Sequence, residues 1–233
     1  MSLDHYQALL NRCAEIGPLP TIVVHPCEAN ALRGALEATQ AGLITPILVG
    51  PRQKIAATAS EAGLDIDGLT VEDVPHSHAA AERGVALIRQ GRGELLMKGS
   101  LHSDELLHAV ADRENGLRTE RRLSHVFAMS VPSYHKPLFV TDAAVNIFPG
   151  LEDKADICRN VIQMLHALGI EQPKVALLSA VETVTAKLPS TLEAAALVVM
   201  SRRGQIDGAL LDGPLAFDNA INAEAARVKG IHS

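Results

Sequence analysis

The chain has 233 residues, enough for one large α/β domain or two smaller ones, and its three cysteines exclude a disulfide-stapled miniprotein. With 47% hydrophobic and 21% charged residues the composition is that of a globular protein, and apolar stretches such as residues 194–200 are too short to cross a bilayer. A net charge of −6, only 3% aromatics and no Trp argue against a nucleic-acid surface built from basic patches and stacking rings.

The chain opens on a helical stripe of Leu3, Tyr6, Leu9, Leu10 and Cys13 that stops at Gly17 and Pro18. Asp4 and His5 stand where a secretory signal would need basic residues, so no leader is read there and a cytoplasmic location is expected. A strand is predicted at 21–25, and a helix over 28–41 with Gly42 as its C-terminal stop. A strand at 46–49, a helix over 52–62, a strand at 69–71, a helix over 77–90 and a strand at 94–97 follow. The second half predicts strands at 123–128 and 138–141, a helix over 152–168, a strand at 174–178, a helix over 191–202 and a strand at 208–211. Short apolar strands alternating with amphipathic helices mean βαβ units, a mainly parallel sheet and an α/β fold. The polar, basic stretch 115–122 and the hairpin-like Pro132–Pro137 connection after it place a domain boundary there, giving domains 1–122 and 123–233. Clefts at strand carboxyl ends are where such folds bind ligands.

Four strand-end loops carry candidate chemistry. In the first, Lys98-Gly99-Ser100 leads into a helix from about Asp104; free N–H groups, the lysine charge and a hydroxyl there suit an anion, although Asp104 and Glu105 would oppose one. The plain alternative is a solvated strand-end lysine and a turn glycine. In the second, Asp212 directly follows a strand and is read as either a cleft residue or a loop residue, while Asp218 reads as a helix N-cap. In the third, Ser179 and Glu182 precede a helix whose start is marked by a Ser190/Glu193 capping box. In the fourth, Asp142 ends a strand facing Asn146, a position that caps a loop as readily as it binds a ligand.

Cys13, Cys27 and Cys158 are scattered and read as reduced, mostly buried thiols, and neither His76/His78, placed in a polar loop, nor His125/His135 has metal-site spacing. No metal site is therefore expected. Gly-x-Gly-x-x-Gly and P-loop elements are missing, which removes the simple dinucleotide and nucleotide readings.

Taken together, Leu96-Met97-Lys98-Gly99, Phe139-Val140-Thr141-Asp142-Ala143-Ala144-Val145-Asn146, Lys174-Val175-Ala176-Leu177-Leu178-Ser179 and Asp212-Gly213-Pro214-Leu215-Ala216-Phe217-Asp218-Asn219-Ala220 closely resemble the phosphate acetyl/butyryltransferase family. The resemblance covers essentially the whole chain. The Lys98–Asp104 stretch is most similar to the transferase domain found behind an enoyl-CoA hydratase in bifunctional enzymes, with no hydratase domain preceding it here.

The resemblance implies acyl transfer between coenzyme A and inorganic phosphate, acyl-CoA + phosphate giving acyl phosphate + CoA, with CoA as a substrate and no cofactor. It also implies a two-domain α/β/α sandwich like isocitrate and isopropylmalate dehydrogenases, a site in the cleft, and a homodimer formed through the second domain. A carboxylate would deprotonate the CoA thiol, and cationic or N–H groups would receive the departing phosphate. The family's Ser-Arg pair and basic aspartate fall beyond Ser233, so the resemblance implies a C-terminally truncated chain whose catalytic residues are not among those given. Supporting positions are Lys98, Gly99, Ser100 and His102 in the first domain and Ser124, Asp142, Ser179 and Asp212 in the second, while His108 stands near the place of a family arginine. Two other readings are a metal- and NAD-dependent dehydrogenase of the same fold, suggested by Asp142 and Asp212, and a non-catalytic CoA-binding or oligomerisation fragment.

Overall fold

The computed structural model describes residues 5–231, so Leu3 and Asp4 of the opening pattern lie outside the described residues. The chain divides into two compact units, Met1–Thr119 and Glu120–Ser233. The opening helix α1 (His5–Ile16) forms, but none of its residues is buried, and Tyr6 of the expected apolar stripe is 62% exposed.

The rest of the first unit is a parallel βαβ succession: β1 (Leu19–Val24), α2 (Ala29–Gln40), β2 (Ile44–Gly50), α3 (Arg52–Ala62), β3 (Thr70–Asp73), α4 (Ser77–Arg89), β4 (Leu95–Lys98) and α5 (Ser103–Val110). The strands lie in the order β3-β2-β1-β4 and every pair is parallel. Alternation along β1 sends Ile22 and Val24 to one face and Val23 to the other. Ile22 and Val24 pack with Ala80, Ala81 and Leu87 of α4 and Leu106 of α5. Val23 packs with Leu32 and Ala35 of α2 and with Ile55 and Ala59 of α3. Helices thus cover both faces of the sheet, and each fully buried Ile or Leu contributes about 1.5–3 kcal/mol. The order reverses between β1 and β4: the chain runs outward through β2 and β3, then returns to the opposite side of β1. In an open α/β sheet that reversal leaves a crevice at the strand carboxyl ends.

The second unit contains β5 (Phe127–Met129), β6 (Leu138–Val140), α6 (Leu151–Ala167), β7 (Lys174–Leu178), α7 (Pro189–Arg202), β8 (Leu210–Leu215), α8 (Phe217–Ile221) and α9 (Ala223–Val228). β5 and β6 form an antiparallel pair, and β7 and β8 a parallel one. Its core joins Ala155, Cys158 and Ile162 of α6, Leu177 of β7, and Ala194, Leu197, Val198 and Met200 of α7.

Four expectations change here. The strand expected at 123–128 shrinks to β5, because side chains occupy the polar groups that a ladder would use: Asn160 Nδ2 donates to the Arg122 carbonyl at 2.8 Å and Asn146 Nδ2 to the Leu123 carbonyl at 2.9 Å. The last strand runs on through Asp212-Gly213-Pro214 to Leu215, with an irregularity in its register against β7 that absorbs the proline. A Cβ on Gly213 would lie 2.7 Å from the Leu177 carbonyl oxygen, so only glycine lets the two strands approach this closely. Helix α7 starts at Pro189 with Leu188 as N-cap, which displaces the Ser190/Glu193 capping box. Helix α8 is capped at Ala216 rather than Asp218.

Candidate active site

Lys98 ends β4 beside β1, and the two strands are in register with Val24 opposite Lys98. The loops that leave them are joined at the β1/β4 reversal. Gly99 N–H donates to the Val24 carbonyl at 2.8 Å and Ser100 N–H to the His25 carbonyl at 2.9 Å. The Ser100 hydroxyl donates to the His25 carbonyl at 2.8 Å and accepts the Cys27 N–H at 2.9 Å. His25 is 7% exposed and its Nδ1 lies 3.0 Å from the Ser100 carbonyl oxygen. A Cβ on Gly99 would sit 2.4 Å from the Val24 carbonyl oxygen and 2.6 Å from that of His25.

These contacts change the meaning of the Lys98-Gly99-Ser100 element. Gly99 serves the close approach of two protein backbones, and the Ser100 hydroxyl is engaged on both its donor and acceptor sides within the protein. Lys98 is exposed, with Nζ 3.4 Å from the Gly99 carbonyl oxygen. His102 is the exposed N-cap of α5 and makes no side-chain cap bond, while Asp104 and Glu105 occupy that helix's first turn and His108 its last. An anion at this loop therefore meets one lysine charge opposed by two carboxylates.

In the second unit Asp142 is surrounded by donors. Its carboxylate accepts the backbone N–H groups of Ala144, Val145 and Asn146 at 3.0–3.1 Å and a bond from Asn146 Nδ2. Partial burial pushes its carboxyl up, and these donors outweigh that and hold it below the ordinary value. Asn146 Oδ1 in turn accepts from Arg122 Nε at 2.7 Å. Asn160 Nδ2 reaches the Ser124 hydroxyl at 2.9 Å. Ser124 and Asp142 therefore belong to one network that ties the 121–146 stretch to α6, and Asp142 is a loop cap there.

Ser179 directly follows β7, and Asp212 lies on the neighbouring strand β8. The Ser179 hydroxyl pairs with that of Ser190 at 2.8 Å, and its N–H donates to the Leu215 carbonyl at 2.9 Å. Asp212 sits inside β8 opposite Ala176, not in the loop after it, and accepts the Gly213 N–H at 2.9 Å. Beyond the strand ends, Glu182 accepts from Lys229 Nζ at 2.9 Å and from Asn219 Nδ2, and Lys229 also pairs with Asp218 at 3.2 Å. The Lys229 ammonium is the leading cause holding the Glu182 and Asp218 carboxyls below their ordinary range. Asp218 thus ties α8 to α9 in place of the capping role expected of it. Glu193, released from the expected capping box, pairs with Lys154 of α6.

Two residues are not among the candidates named above, His25 and Asn219, the second lying within the quoted Asp212–Ala220 motif. His25 follows an apolar strand as Lys98 and Ser179 do, and that shared position is the signal that could have found it. Asn219 is 4% exposed, and nothing before the structure distinguishes it from a surface helix residue. The histidine pairs take other roles: His76 caps α4 by accepting the Ala79 N–H at 3.2 Å, and His78 lies within α4 rather than in a loop. His125 packs edge-on against Phe127 at 4.3 Å, and His135 tilts against Tyr134 at 5.1 Å. Among the described residues no group of three or more His, Cys, Asp or Glu is placed to hold a metal ion, and no helix is long and apolar enough to cross a membrane.

Residues 76–233 match the phosphate acetyl/butaryl transferase family. The chain belongs to that family. Among relatives of this transferase chain, the phosphate acetyltransferase of Rhizobium meliloti is 60% identical over 228 residues, which is 98% of this chain and 72% of the relative. The phosphate acetyltransferase of Rickettsia felis is 50% identical over 230 residues, which is 98% of this chain and 66% of that protein. A solved branched-chain phosphotransacylase from Enterococcus faecalis superposes with a TM-score of 0.76 at 25% identity, covering 91% of this transferase chain and 74% of its own. The mixed α/β architecture with a mainly parallel sheet is therefore also that of a phosphotransacylase.

Proposed function

We propose that this chain is a phosphate acyltransferase that moves an acetyl or short acyl group between coenzyme A and inorganic phosphate. The observation that carries this reading is the 60% identity to a phosphate acetyltransferase across 98% of the chain. In the direction of CoA acylation the thiol loses its proton, sulfur attacks the acyl carbonyl, the C–S bond forms, and the bond to the phosphate oxygen breaks. A thiol near its usual pKa needs a base for this, and the leaving phosphate needs cations or N–H donors.

We assign substrate contacts to the strand ends and the loops that leave them: Lys98 and His102 as polar side chains, Gly99 and Ser100 as the residues that shape their loop, Ser124, Asp142 and Ser179 from the second half, and Asp212 from within β8. The reading extends to a cytoplasmic enzyme with domains 1–122 and 123–233, arranged as in isocitrate and isopropylmalate dehydrogenases, with CoA, acyl-CoA, phosphate and acyl phosphate as its small-molecule partners. It also includes a homodimer through the second domain, a reading supported by exposed apolar residues there such as Leu178 and Leu210.

The test mixes the full-length gene product with CoA and either acetyl phosphate or butyryl phosphate and follows loss of free thiol and gain of thioester. Thioester formation is the expected result. Tight CoA binding with zero turnover would favour the non-catalytic reading, and turnover with NAD and a divalent metal would favour a dehydrogenase. Lys98→Ala is expected to lower acyl transfer about tenfold or more with an unchanged melting temperature, the loss of one charge-assisted contact to an anionic substrate.

A further inference from the structure

The tautomer of His25 is fixed by its surroundings. Nδ1 faces the Ser100 carbonyl oxygen at 3.0 Å, and because a carbonyl can only accept, Nδ1 must carry the hydrogen. In the neutral ring Nε2 therefore holds a lone pair. Among the described residues nothing bonds Nε2, and the sealed unpartnered side-chain atoms are Glu105 Oε2, His125 Nδ1 and Asn219 Oδ1, so Nε2 reaches solvent although the residue is 93% buried. His25 also has φ +55° and is, among the described residues, the non-glycine residue in the left-handed region, a conformation that costs a β-carbon-bearing residue energy. Four further bonds hold the backbone there: His25 N–H donates to the Val49 carbonyl at 2.7 Å, and the His25 carbonyl accepts from the Cys27 N–H, the Ser100 N–H and the Ser100 hydroxyl. A buried imidazole is thus held at the β1/β4 reversal, with one nitrogen spent on the protein and the other left open.

We infer that His25 Nε2 is the hydrogen-bond acceptor by which the first unit takes a donor group of coenzyme A. This rests on the acyltransferase reading above. Among the substrates of that reaction an ionised acyl phosphate offers only acceptors and hydrogen phosphate only the hydroxyl of an anion, whereas CoA offers amide N–H, hydroxyl, amino and thiol donors. The ionisable groups acting on neighbouring Cys27 are of both signs, Lys54 and Glu28, so the loop has no single-sign field that would make it a phosphate cradle.

His25→Asn is the discriminating variant. Asparagine tolerates the left-handed backbone, its Nδ2 hydrogen can replace Nδ1–H toward Ser100, and it has nothing at the position of Nε2. The expected result is a KM for CoA raised about tenfold, an unchanged KM for acyl phosphate and a melting temperature within a few degrees of the parent. Nitrogen NMR of the parent protein labelled with ¹⁵N at histidine supplies a readout that needs no variant. His25 should show a protonated Nδ1, and saturating CoA should move the Nε2 resonance and leave Nδ1 protonated. A turning-over enzyme whose Nε2 resonance ignores CoA, or whose ring carries its hydrogen on Nε2, overturns the assignment while leaving the acyltransferase reading intact. A parent chain that neither binds CoA nor forms thioester overturns both.

Discussion

β1 is buried on both faces, with Ile22 and Val24 against α4 and α5 and Val23 against α2 and α3, whereas β7 buries Leu177 on one face and leaves Lys174, Ala176 and Leu178 exposed on the other. The strand-end loops differ in the same way. At the β1/β4 reversal the bonds run to main-chain carbonyls, with Gly99 and Ser100 donating into the Val24 and His25 carbonyls. At the ends of β7 and β8 they run between side chains, Ser179 to Ser190 and Glu182 to Asn219 and Lys229. The first loop is fixed chiefly by main-chain carbonyls on a doubly covered sheet, with the His25 ring bonded into it. A loop fixed by carboxylates and an ammonium responds to pH and salt.

The contrast predicts its largest effect at Ile22. Its side chain is fully buried between β1 and the α4/α5 layer, and Ile22→Ala should cost about 4 kcal/mol through lost transfer energy and the cavity left behind. Hydrogen exchange read peptide by peptide through a urea series would localise the loss to residues 19–110. A cost under about 1 kcal/mol would mean that double coverage does not stabilise the first unit as its packing indicates.

An intermediate effect is expected at Asp142. Asp142→Ala leaves the Ala144, Val145 and Asn146 amides without their acceptor, a loss of about 2 kcal/mol in the second unit. Because the folded-state carboxyl is held below its ordinary value, its stabilisation is complete above the unfolded pKa of about 3.9 and disappears as pH falls through the lowered folded value. The gap between parent and variant should accordingly be widest near neutrality and close in acid. A gap independent of pH would show that the loop is held by something other than the ionised carboxylate.

The difference between the units also explains what could be read from residues alone. The strands and helices of 19–110 were legible because strands covered on both faces are near-continuous apolar runs, such as Thr21-Ile22-Val23-Val24. The element ends of the second half were not, because long-range side-chain bonds decide them. Asn160 and Asn146 occupy the carbonyls of 122 and 123, a register irregularity carries β8 past Gly213-Pro214, and Lys229 draws Asp218 away from a cap. Pro189 was the local signal for the start of α7, stronger than the Ser-x-x-Glu pattern one residue later. Of the site, the strand-end positions of Lys98, Ser179 and Asp142 were legible. The engagement of Ser100 with His25, 75 residues away in the chain, had no local signature.

The smallest effect is expected on the open face of the β7/β8 pair. Leu178 is 49% exposed and Leu210 is 50% exposed, so Leu178→Ala removes little buried area and should change the stability of the isolated chain by no more than about 0.5 kcal/mol. The same substitution reads differently if the second unit pairs with another copy. Sedimentation of parent and Leu178→Asp at several concentrations separates the cases. A dimer that dissociates on introducing the charge places Leu178 in an interface, because an unpaired carboxylate is costly to bury, whereas an unchanged sedimentation profile leaves the face to water. In the first unit no such ambiguity arises, since the residues equivalent in position on β1 are already sealed by their own helices.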